Sequence, residues 1–394
     1  MRLEEQPTAL HVDPAIARFA PLLDIAVCPI SKAPLRLVGA AELKDRVTAV
    51  DQSKIDSNLV GAFVSEEANR AYSIRGPIVN FLESESLRID RGTSPQVNRV
   101  SEEPDQEAKS SVRRWYDEFG WQKNEQGDYY DSAVFSQNAP AGHGLYELLS
   151  HLRVLERLSA GEWLIDAASG AIAHPEYLTY SWFYKHRVCV DFSIAALREA
   201  ATKLRATDFC CQADICHLPF RDDAFQGAIS GYTIQHLPEA QQANGVRELY
   251  RVLGAGSHLC FFTDVSCGRG HDIMRVALRG LATLLGNLPS DRSDSVASES
   301  AHASAAPHPL YFRAHSTAWW RELGSSLTPF RQVQSLRLLT RNEFRRIFGD
   351  SNRAARVLDA IETCFPGVMA PLSAYCLVDL KKPMNRRFEP TRNA

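Results

Sequence analysis

Apolar runs alternate with amphipathic helical segments between residues 141 and 265, and this alternation limits the fold more than any other feature of the chain. The strand-like runs are EWLIDAASG, HRVCVDFS, DFCCQADI, FQGAISGYT and HLCFFTDV, the last of which follows the turn GAGS. Between them lie segments with apolar residues at helical spacing, such as IAALREAATKLRA. Strands that alternate with helices in this way predict a parallel, doubly wound α/β sheet.

Length and composition narrow the class of protein. A chain of 394 residues exceeds what a single core usually supports, so one large domain and a smaller one are expected. No stretch reaches the roughly 20 apolar residues that span a bilayer. A net charge of −3 gives no general attraction to nucleic acid or anionic lipid, although a local basic patch is compatible with it. The opening MRLEEQPTALHVDP lacks the features of a secretory signal, so a cytoplasmic location is expected.

The nine cysteines are scattered along the chain, and most stand in apolar strand-like runs. This distribution is typical of buried thiols in a reducing compartment. The adjacent Cys210 and Cys211, with Cys216 nearby, match no common zinc spacing. We therefore expect no metal site.

Three polar stretches indicate how the chain is divided. They cover about residues 84–110, the Ser/Ala-rich segment from Ser290 to Pro309, and the basic end KKPMNRRFEPTRNA. The predicted organisation is a small α+β or all-β module at 1–85, a linker at 86–110, an α/β domain at 111–383 with a mobile insert at about 288–310, and a basic tail at 384–394.

Small or polar residues follow the apolar runs, at the edge of the sheet where this fold class binds ligands. The first run ends in Asp166, Ala167, Ala168, Ser169 and Gly170. Such a small-residue turn lets a ligand approach the backbone, and the acid could hold an ammonium group or order the turn. A plain tight turn explains the motif about equally well.

The second run ends in Asp191, Phe192 and Ser193. Asp191 stands 25 residues after Asp166, near the distance at which a nucleotide-binding fold presents an acid to ribose hydroxyls. In the simpler interpretation, Asp191 or Ser193 caps the following helix. The two roles are compatible.

The third and fourth runs also end in polar groups. Asp214 could accept a hydrogen bond from an adenine amine, with Ile215 against the ring, although a loop acid beside a packed turn is the simpler interpretation. The fourth run leads into Tyr232, Thr233, Gln235 and His236, under the expected reaction centre. His236 is a candidate base, but a single histidine is more often structural.

Taken in order, these four ends resemble class I S-adenosylmethionine-dependent methyltransferases of the ubiquinone and menaquinone biosynthesis type. DAASG resembles the first motif of that family, VDFS its acidic second strand end, ADICHLPFRDDAF its adenine loop and GYTIQHLP its fourth strand end. The resemblance covers about residues 111–265. It implies a Rossmann-like sheet of seven strands, with S-adenosylmethionine as methyl donor and S-adenosylhomocysteine as product.

The resemblance also implies which residues bind the cofactor. They are Asp166, Ala167, Ala168, Ser169, Gly170, Asp191, Phe192, Ser193, Asp214, Ile215, Tyr232 and Thr233. The first motif departs from the family pattern D/E-x-G-x-G-x-G, because Ala168 replaces a glycine and Ile172 stands at the last glycine position. We therefore expect the turn to hold Ala168 at a negative φ, as suits a residue with a Cβ.

The first 85 residues or so resemble a second family, the small zinc-ribbon-like proteins related to the activator of tRNA methyltransferases. The likeness rests on LLDIAVCPISKAPLRLVG and NRAYSIRGPIVNFL. Metal-binding members carry paired cysteines, whereas here Cys28 stands alone, Ser31 lies three positions on, and no cysteine is near Tyr72. A zinc site with four ligands is not supported, so the module is predicted to be a structural or docking platform.

The leading hypothesis is methyl transfer to an O, N or C atom of a small molecule. One alternative is an RNA or protein methyltransferase recruited through the N-terminal module, and another is a cofactor-binding scaffold without activity. A dinucleotide oxidoreductase is less favoured, because the first turn lacks G-x-G-x-x-G. Methyl transfer needs no obligatory catalytic residue, and the candidates for acceptor positioning are Tyr116, Tyr232, Gln235 and His236. The sequence does not indicate the oligomeric state.

Overall fold

The computed structural model describes residues 16–90, 106–125, 127, 129–131, 141–284 and 310–384. Two compact units make up the chain, namely Met1–Arg99 with Pro219–Arg221, and Val100–Leu218 with Asp222–Ala394. Residues 288–309 of the predicted insert (about 288–310), residues 385–394 of the predicted tail (384–394) and most of the predicted linker lie outside the described residues. No helix among those described is long and apolar enough to cross a membrane.

The first unit is a small antiparallel sheet with short helical segments. Its strands are β1 (Arg36–Gly39), β2 (Leu59–Ser65), β3 (Arg70–Arg75), β4 (Ile78–Asn80) and β5 (Leu87–Arg88), and its helix is α1 (Ala40–Lys44). Strand β3 pairs with β2, β4 and β5, and β1 pairs with β2. A 3₁₀ helix over Ala17–Asp24 precedes the first strand. The buried Cys28 lies with its Sγ 3.2 Å from the Tyr72 hydroxyl.

The second unit contains the seven-stranded sheet. Its strands are β6 (Gly161–Ala167), β7 (Tyr184–Asp191), β8 (Phe209–Gln212), β9 (Phe225–Gly231), β10 (Leu253–Asp264), β11 (Arg331–Arg337) and β12 (Tyr375–Lys381). They lie in the order β8-β7-β6-β9-β10-β12-β11. Strands β6 to β10 are parallel, whereas β12 is antiparallel to both β10 and β11. The predicted doubly wound α/β sheet of seven strands is confirmed.

Helices connect these strands. They are α2 (Gln106–Trp115), α3 (Ala141–Leu155), α4 (Ile194–Ala201), α5 (Glu239–Val252), α6 (Arg269–Leu284), α7 (Thr317–Leu327), α8 (Arg341–Phe348), α9 (Asn352–Cys364) and α10 (Pro366–Met369). Helix α2 continues into a π-helical turn over Tyr116–Gly120, a geometry that often marks functional sites. The buried faces of the strands and helices supply the apolar core that fixes the strand ends in place.

One predicted turn is instead part of a strand. GAGS was expected to separate a helix from the following strand, but β10 already begins at Leu253 and includes these four residues. The register against β9 shifts between Leu253 and His258, and Gly256 has a φ of +80°. An irregularity in the strand pairing therefore takes up the residues of the expected turn.

Candidate cofactor and acceptor site

A cavity of about 350 Å³ lies in the second unit, at the carboxyl ends of the parallel strands. This is where doubly wound sheets bind their ligands. The predicted cofactor residues that line it are Ala168, Ser169, Gly170, Asp191, Phe192, Asp214, Ile215, Tyr232 and Thr233. All four candidates for acceptor positioning line it as well, namely Tyr116, Tyr232, Gln235 and His236.

Three of the predicted residues, Asp166, Ala167 and Ser193, do not line this cavity. The Asp166 carboxylate is ion-paired with the fully buried Arg187, whose Nε lies 3.1 Å from Oδ2, at a smaller adjoining cavity. Ser193 caps α4, because its Oγ accepts a hydrogen bond from the Ala196 N–H. These side chains hold the strand ends in place.

Asp191, at the end of β7, joins the first two loops of the site. Its Oδ2 accepts a hydrogen bond from the Gly170 N–H at 2.9 Å, and its Oδ1 accepts one from the Ser193 N–H at 2.8 Å. A carboxylate has about four lone-pair positions, so each oxygen can still accept a further hydrogen bond. Burial raises the pKa of Asp191 to about 6, even though both N–H groups act to lower it.

The loop after β6 corrects one prediction. Ala168 has a φ of +53°, in the left-handed region, so the expectation of a negative φ was wrong. Gly170 and Ile172 also have positive φ, at +56° and +50°. The hydrogen bond from Gly170 to Asp191 and the one from the Ser169 N–H to the Val190 carbonyl oxygen hold the loop in this conformation. Ala168 therefore keeps the left-handed backbone conformation that favours a glycine, although it carries a Cβ.

Gly170 is required for a second reason. A Cβ built on it would lie 2.6 Å from the indole of Trp121, which lines the same cavity. Trp121 in turn stacks on Tyr116, with ring centroids 5.6 Å apart. The segment that follows α2 thus closes the cavity over the first loop.

Asp214, at the third strand end, is ion-paired. The Nζ of Lys109, from α2, lies 2.5 Å from its Oδ2, and its Oδ1 accepts a hydrogen bond from the Cys216 N–H at 2.8 Å. Burial opposes the ionised form, but hydrogen bonds with His217 and Lys109 outweigh it and hold the Asp214 pKa well below its usual range. The sequence carried no signal for Lys109, since it lies 105 residues away in the predicted linker.

The opposite half of the cavity contains a charge cluster that sequence reasoning missed. Arg337, at the end of β11, donates to the Glu147 carboxylate at 2.9 Å and to the Tyr232 hydroxyl at 2.6 Å. Its guanidinium also lies over the ring of Tyr375, 4.6 Å from the centroid. Burial opposes the charge of Glu147, but Arg337 more than compensates, so the pKa of Glu147 is lowered to about 2. Tyr232 itself has a φ of +52°.

Gln235 and His236 are held by other groups. Gln235 donates from Nε2 to Asp264 at 2.9 Å and accepts a hydrogen bond from the Thr263 hydroxyl at 3.1 Å. The Nδ1 of His236 lies 3.0 Å from the Tyr311 carbonyl oxygen, which accepts a hydrogen bond from it. Burial lowers the pKa of His236, so the ring is neutral near pH 7 and its Nε2 is a hydrogen-bond acceptor.

Two further carboxylates line the cavity and were not predicted. Burial raises the pKa of Asp131 to about 7, with a further contribution from the negative charge of Asp191. Burial also raises the pKa of Asp264 to about 6. Acids with raised pKa values that line a cavity are typical of functional sites, because burial and neighbouring charges are arranged there to shift those pKa values.

Known proteins share part of this arrangement. Residues 165–261 match the family model described as "Methyltransferase domain". Over these residues the match supports the prediction of a methyltransferase domain. No curated protein matches the chain.

Several solved structures are similar. One belongs to the complex that contains the Haloferax volcanii Trm112 methyltransferase activator (14% identity, TM-score 0.39, 65% of this chain and 98% of that chain). Another is the Haemonchus contortus phosphoethanolamine N-methyltransferase 2 bound to S-adenosylhomocysteine (14% identity, TM-score 0.43, 76% of this chain and 63% of that chain). A third is the YcgJ protein of Bacillus (15% identity, TM-score 0.36, 59% of this chain and 98% of that chain).

Proposed function

We propose that this chain transfers a methyl group from S-adenosylmethionine to a small-molecule acceptor. The observation that carries the proposal is the convergence of three strand ends on one cavity. The loop 168–170, the acid Asp191 and the pair Asp214 and Ile215 all line it. The N-terminal module remains a predicted platform, and the ubiquinone-like subtype and the cytoplasmic location remain predictions.

The residues fit the parts of this cofactor in order. Asp191 retains lone pairs for two ribose hydroxyls, and its position at the second strand end is that of the ribose-binding acid in nucleotide folds. Ile215 offers an apolar surface for adenine, and Asp214 offers an acceptor for the exocyclic amine. The left-handed loop at Ala168 brings the backbone close to where the methionine part would lie.

When bound, the cofactor supplies a methyl group on a positively charged sulfur. The protein's part is to hold an acceptor in line with that carbon and to exclude water, and positioning of this kind can supply most of the rate enhancement. Tyr116, Tyr232 and His236 line the cavity close to the loop that holds the donor in this proposal. Their role is to position the acceptor.

A small acceptor is favoured over a macromolecule by the burial of the acceptor half. Gln235 and Arg337 are each 2% exposed and Tyr375 is 8% exposed, although all three line the cavity. A nucleotide flipped out of RNA or a protein side chain would have to reach past these groups. A free small molecule can enter the cavity as a whole.

Calorimetry with S-adenosylhomocysteine tests the donor site. We expect binding in the micromolar range or tighter, and a loss of affinity of roughly tenfold or more in Asp191→Asn, which removes a charged hydrogen-bond acceptor. The matched control is Asp272→Asn on the surface of α6, where the side chain is 65% exposed. Absence of binding by the folded wild-type protein would refute the proposal.

Transfer of label from methyl-labelled S-adenosylmethionine tests the acceptor class. The full-length chain is incubated with separated RNA, protein and small-molecule fractions of a cell extract. Label in the small-molecule fraction is the expected result. Label in RNA or protein would instead support recruitment of a macromolecule, and binding without any turnover would support a scaffold.

A further inference from the structure

We infer that the acceptor is a cationic amine, that the atom methylated is its nitrogen, and that Asp264 holds the ammonium group. This inference rests on the proposed function and adds the substrate class to it. It is carried by the balance of charge around the cavity, by the rings that line it and by the hydrogen bonds of Asp264.

The charge balance of the lining is strongly negative. Among the described residues, two cations line the cavity, and both are ion-paired: Lys109 with Asp214 at 2.5 Å and Arg337 with Glu147 at 2.9 Å. An anionic acceptor would have to compete with these buried carboxylates for its counter-charge. The cations of the described lining are therefore already neutralised within the protein.

Three further carboxylates, Asp131, Asp191 and Asp264, line the same cavity. None of them is in an ion pair with a side chain of the described residues. Asp191 is assigned to the cofactor ribose above. An uncompensated carboxylate in a buried site is costly, and a ligand that brings positive charge removes that cost. The sulfonium donor brings one such charge, and an ammonium acceptor brings another.

Asp264 is the carboxylate placed for the acceptor. It ends β10, next to the strand end that carries Tyr232, and its Oδ2 accepts the amide hydrogen bond of Gln235 at 2.9 Å. The hydrogen bond from Thr263 fixes that amide, and the backbone N–H of Asp264 also interacts with the carboxylate. A carboxylate has about four lone-pair positions, so lone pairs remain for a ligand. The charge of Arg337 acts to lower the pKa of Asp264. The charge of Asp264 in turn acts to raise the pKa values of Tyr116, Tyr232 and Tyr375.

Aromatic side chains surround this half of the cavity. Tyr116, Tyr177, Tyr232 and Phe312 line it, and a fifth ring, that of Tyr375, already lies against the guanidinium of Arg337. The face of an aromatic ring attracts a cation within about 6 Å, and the attraction is largest where water is excluded. Aromatic rings around a carboxylate thus favour an ammonium group over a neutral hydroxyl and disfavour a carboxylate or phosphate.

The chemistry balances with these groups alone. The bound ammonium releases one proton to the Asp264 carboxylate, and the nitrogen lone pair then attacks the methyl carbon. A nitrogen–carbon bond forms while the carbon–sulfur bond breaks, and the bonding electron pair stays on sulfur, which becomes neutral. The positive charge passes to the methylated nitrogen. Burial raises the pKa of Asp264 to about 6, which makes it a better proton acceptor than an exposed carboxylate.

The test uses the full-length chain, methyl-labelled S-adenosylmethionine and the small-molecule fraction of a cell extract. That fraction is divided on ion-exchange resin at pH 7 into cationic, neutral and anionic pools. We expect the label to enter the cationic pool. Treatment of the pool with acetic anhydride, followed by hydroxylamine to restore acetylated hydroxyls, should abolish transfer to primary and secondary amines, because these stay blocked as amides. A tertiary amine is not blocked, but its methylated product is a quaternary ammonium that stays cationic even at pH 12.

Label in the neutral or anionic pool, label that survives acetylation in a product that is not cationic at pH 12, or no label in any pool would each overturn the amine inference. The donor proposal is judged separately, by the calorimetric binding of S-adenosylhomocysteine. If that binding persists while amines are not methylated, only the inference on the acceptor fails.

Asp264→Asn tests the assigned carboxylate. We expect the concentration of the cationic pool at which the rate is half-maximal to rise by roughly tenfold. The affinity for S-adenosylhomocysteine should stay unchanged within about twofold. With S-adenosylmethionine at saturating concentration, the part of the acid limb near pH 6 that belongs to Asp264 should also be lost, whereas the part that belongs to Asp191 should remain. Equal losses of donor affinity and acceptor affinity, or an unchanged acid limb, would mean that Asp264 has only a structural role. Asp272→Asn is the matched control.

Discussion

Protonation of Asp191 should weaken the binding of S-adenosylhomocysteine, so affinity should rise with pH between about 5 and 7.5. Burial is the largest cause of the raised Asp191 pKa, which is about 6, and the hydrogen bonds from Ser193 and Gly170 oppose it. Only the ionised carboxylate can accept the hydrogen bonds of the loop and of two ribose hydroxyls together. Binding therefore selects the ionised form and expels the proton.

The expected magnitude follows from the pKa. At pH 5 about one Asp191 in ten is ionised, so affinity should be about tenfold lower than its limit at high pH, which corresponds to about 1.4 kcal/mol. Near pH 6, binding should release about half a proton from this group. Asp131, with a pKa of about 7, and Asp264, with a pKa of about 6, line the same cavity and can add to the release.

Without ligand, the same acids affect stability with the opposite sign. The folded protein holds these protons more tightly than the unfolded chain does, because the folded pKa values lie above the value of about 3.9 for an unfolded aspartate. Their contribution to the free energy of unfolding is therefore largest below pH 4 and falls as the pH rises toward 7. S-adenosylhomocysteine should stabilise the protein more at pH 7.5 than at pH 5.

The assay is titration calorimetry at pH 5, 6, 7 and 8, repeated in buffers of different ionisation enthalpy so that proton release is measured directly. Asp191→Asn should bind more weakly and should lose the part of the pH dependence that belongs to this residue. Asp272→Asn, whose side chain is exposed, should behave as the wild type. Constant affinity across this range, proton uptake, or an unchanged pH profile in Asp191→Asn would refute the reasoning.

Three substitutions test the first loop and its support. Gly170→Ala should lower the free energy of unfolding by at least about 1–2 kcal/mol in chemical denaturation, because the φ is +56° and the new Cβ would meet Trp121. Ala168→Gly should raise it by up to about 1 kcal/mol, since glycine adopts a φ of +53° without strain; an unchanged or lower value would contradict the left-handed turn. Asp166→Ala should cost about 3–5 kcal/mol because it leaves the Arg187 charge buried, and Asp166→Ala with Arg187→Met should recover much of that loss.

The parts of the site that the sequence predicted are those encoded locally. Each parallel strand ends in a short motif, and the geometry of doubly wound sheets brings successive strand ends to one edge. Asp191 and Asp214 were identified for that reason, and both line the cavity. Ser193 was correctly offered as a helix cap, because a serine before an amphipathic segment is itself a local signal.

The acceptor half could not be predicted in the same way. Glu147 and Arg337 are 190 residues apart, and the Tyr375 ring comes from a third segment. Nothing in a window of sequence marks an arginine on β11 as the partner of a glutamate on α3. Only the return of the chain through the antiparallel pair β11 and β12 brings these residues to the cavity.

The backbone of the first loop shows the limit of residue-type reasoning. An alanine in place of a glycine favours ordinary backbone angles, and on that basis alone a negative φ was expected for Ala168. The tertiary hydrogen bonds of the neighbouring residues override that preference, which is worth only about 1–2 kcal/mol for a single residue. Such overrides are expected where the surrounding structure fixes the conformation more strongly than the residue resists it.

Two features that cost stability occur around this cavity: left-handed backbone at residues with a Cβ, and carboxylates removed from water. Their occurrence in one place supports a ligand site independently of any motif. Ala168, Ile172 and Tyr232 each adopt a left-handed conformation that a residue with a Cβ disfavours, and the loops that contain them surround the acids whose pKa values burial raises. Selection for stability alone would favour a glycine at position 168 and an amide side chain at position 264, because these residues avoid the two costs. Both instead occur at the sheet edge that binds ligands, where a positively charged cofactor and acceptor would offset the buried negative charge.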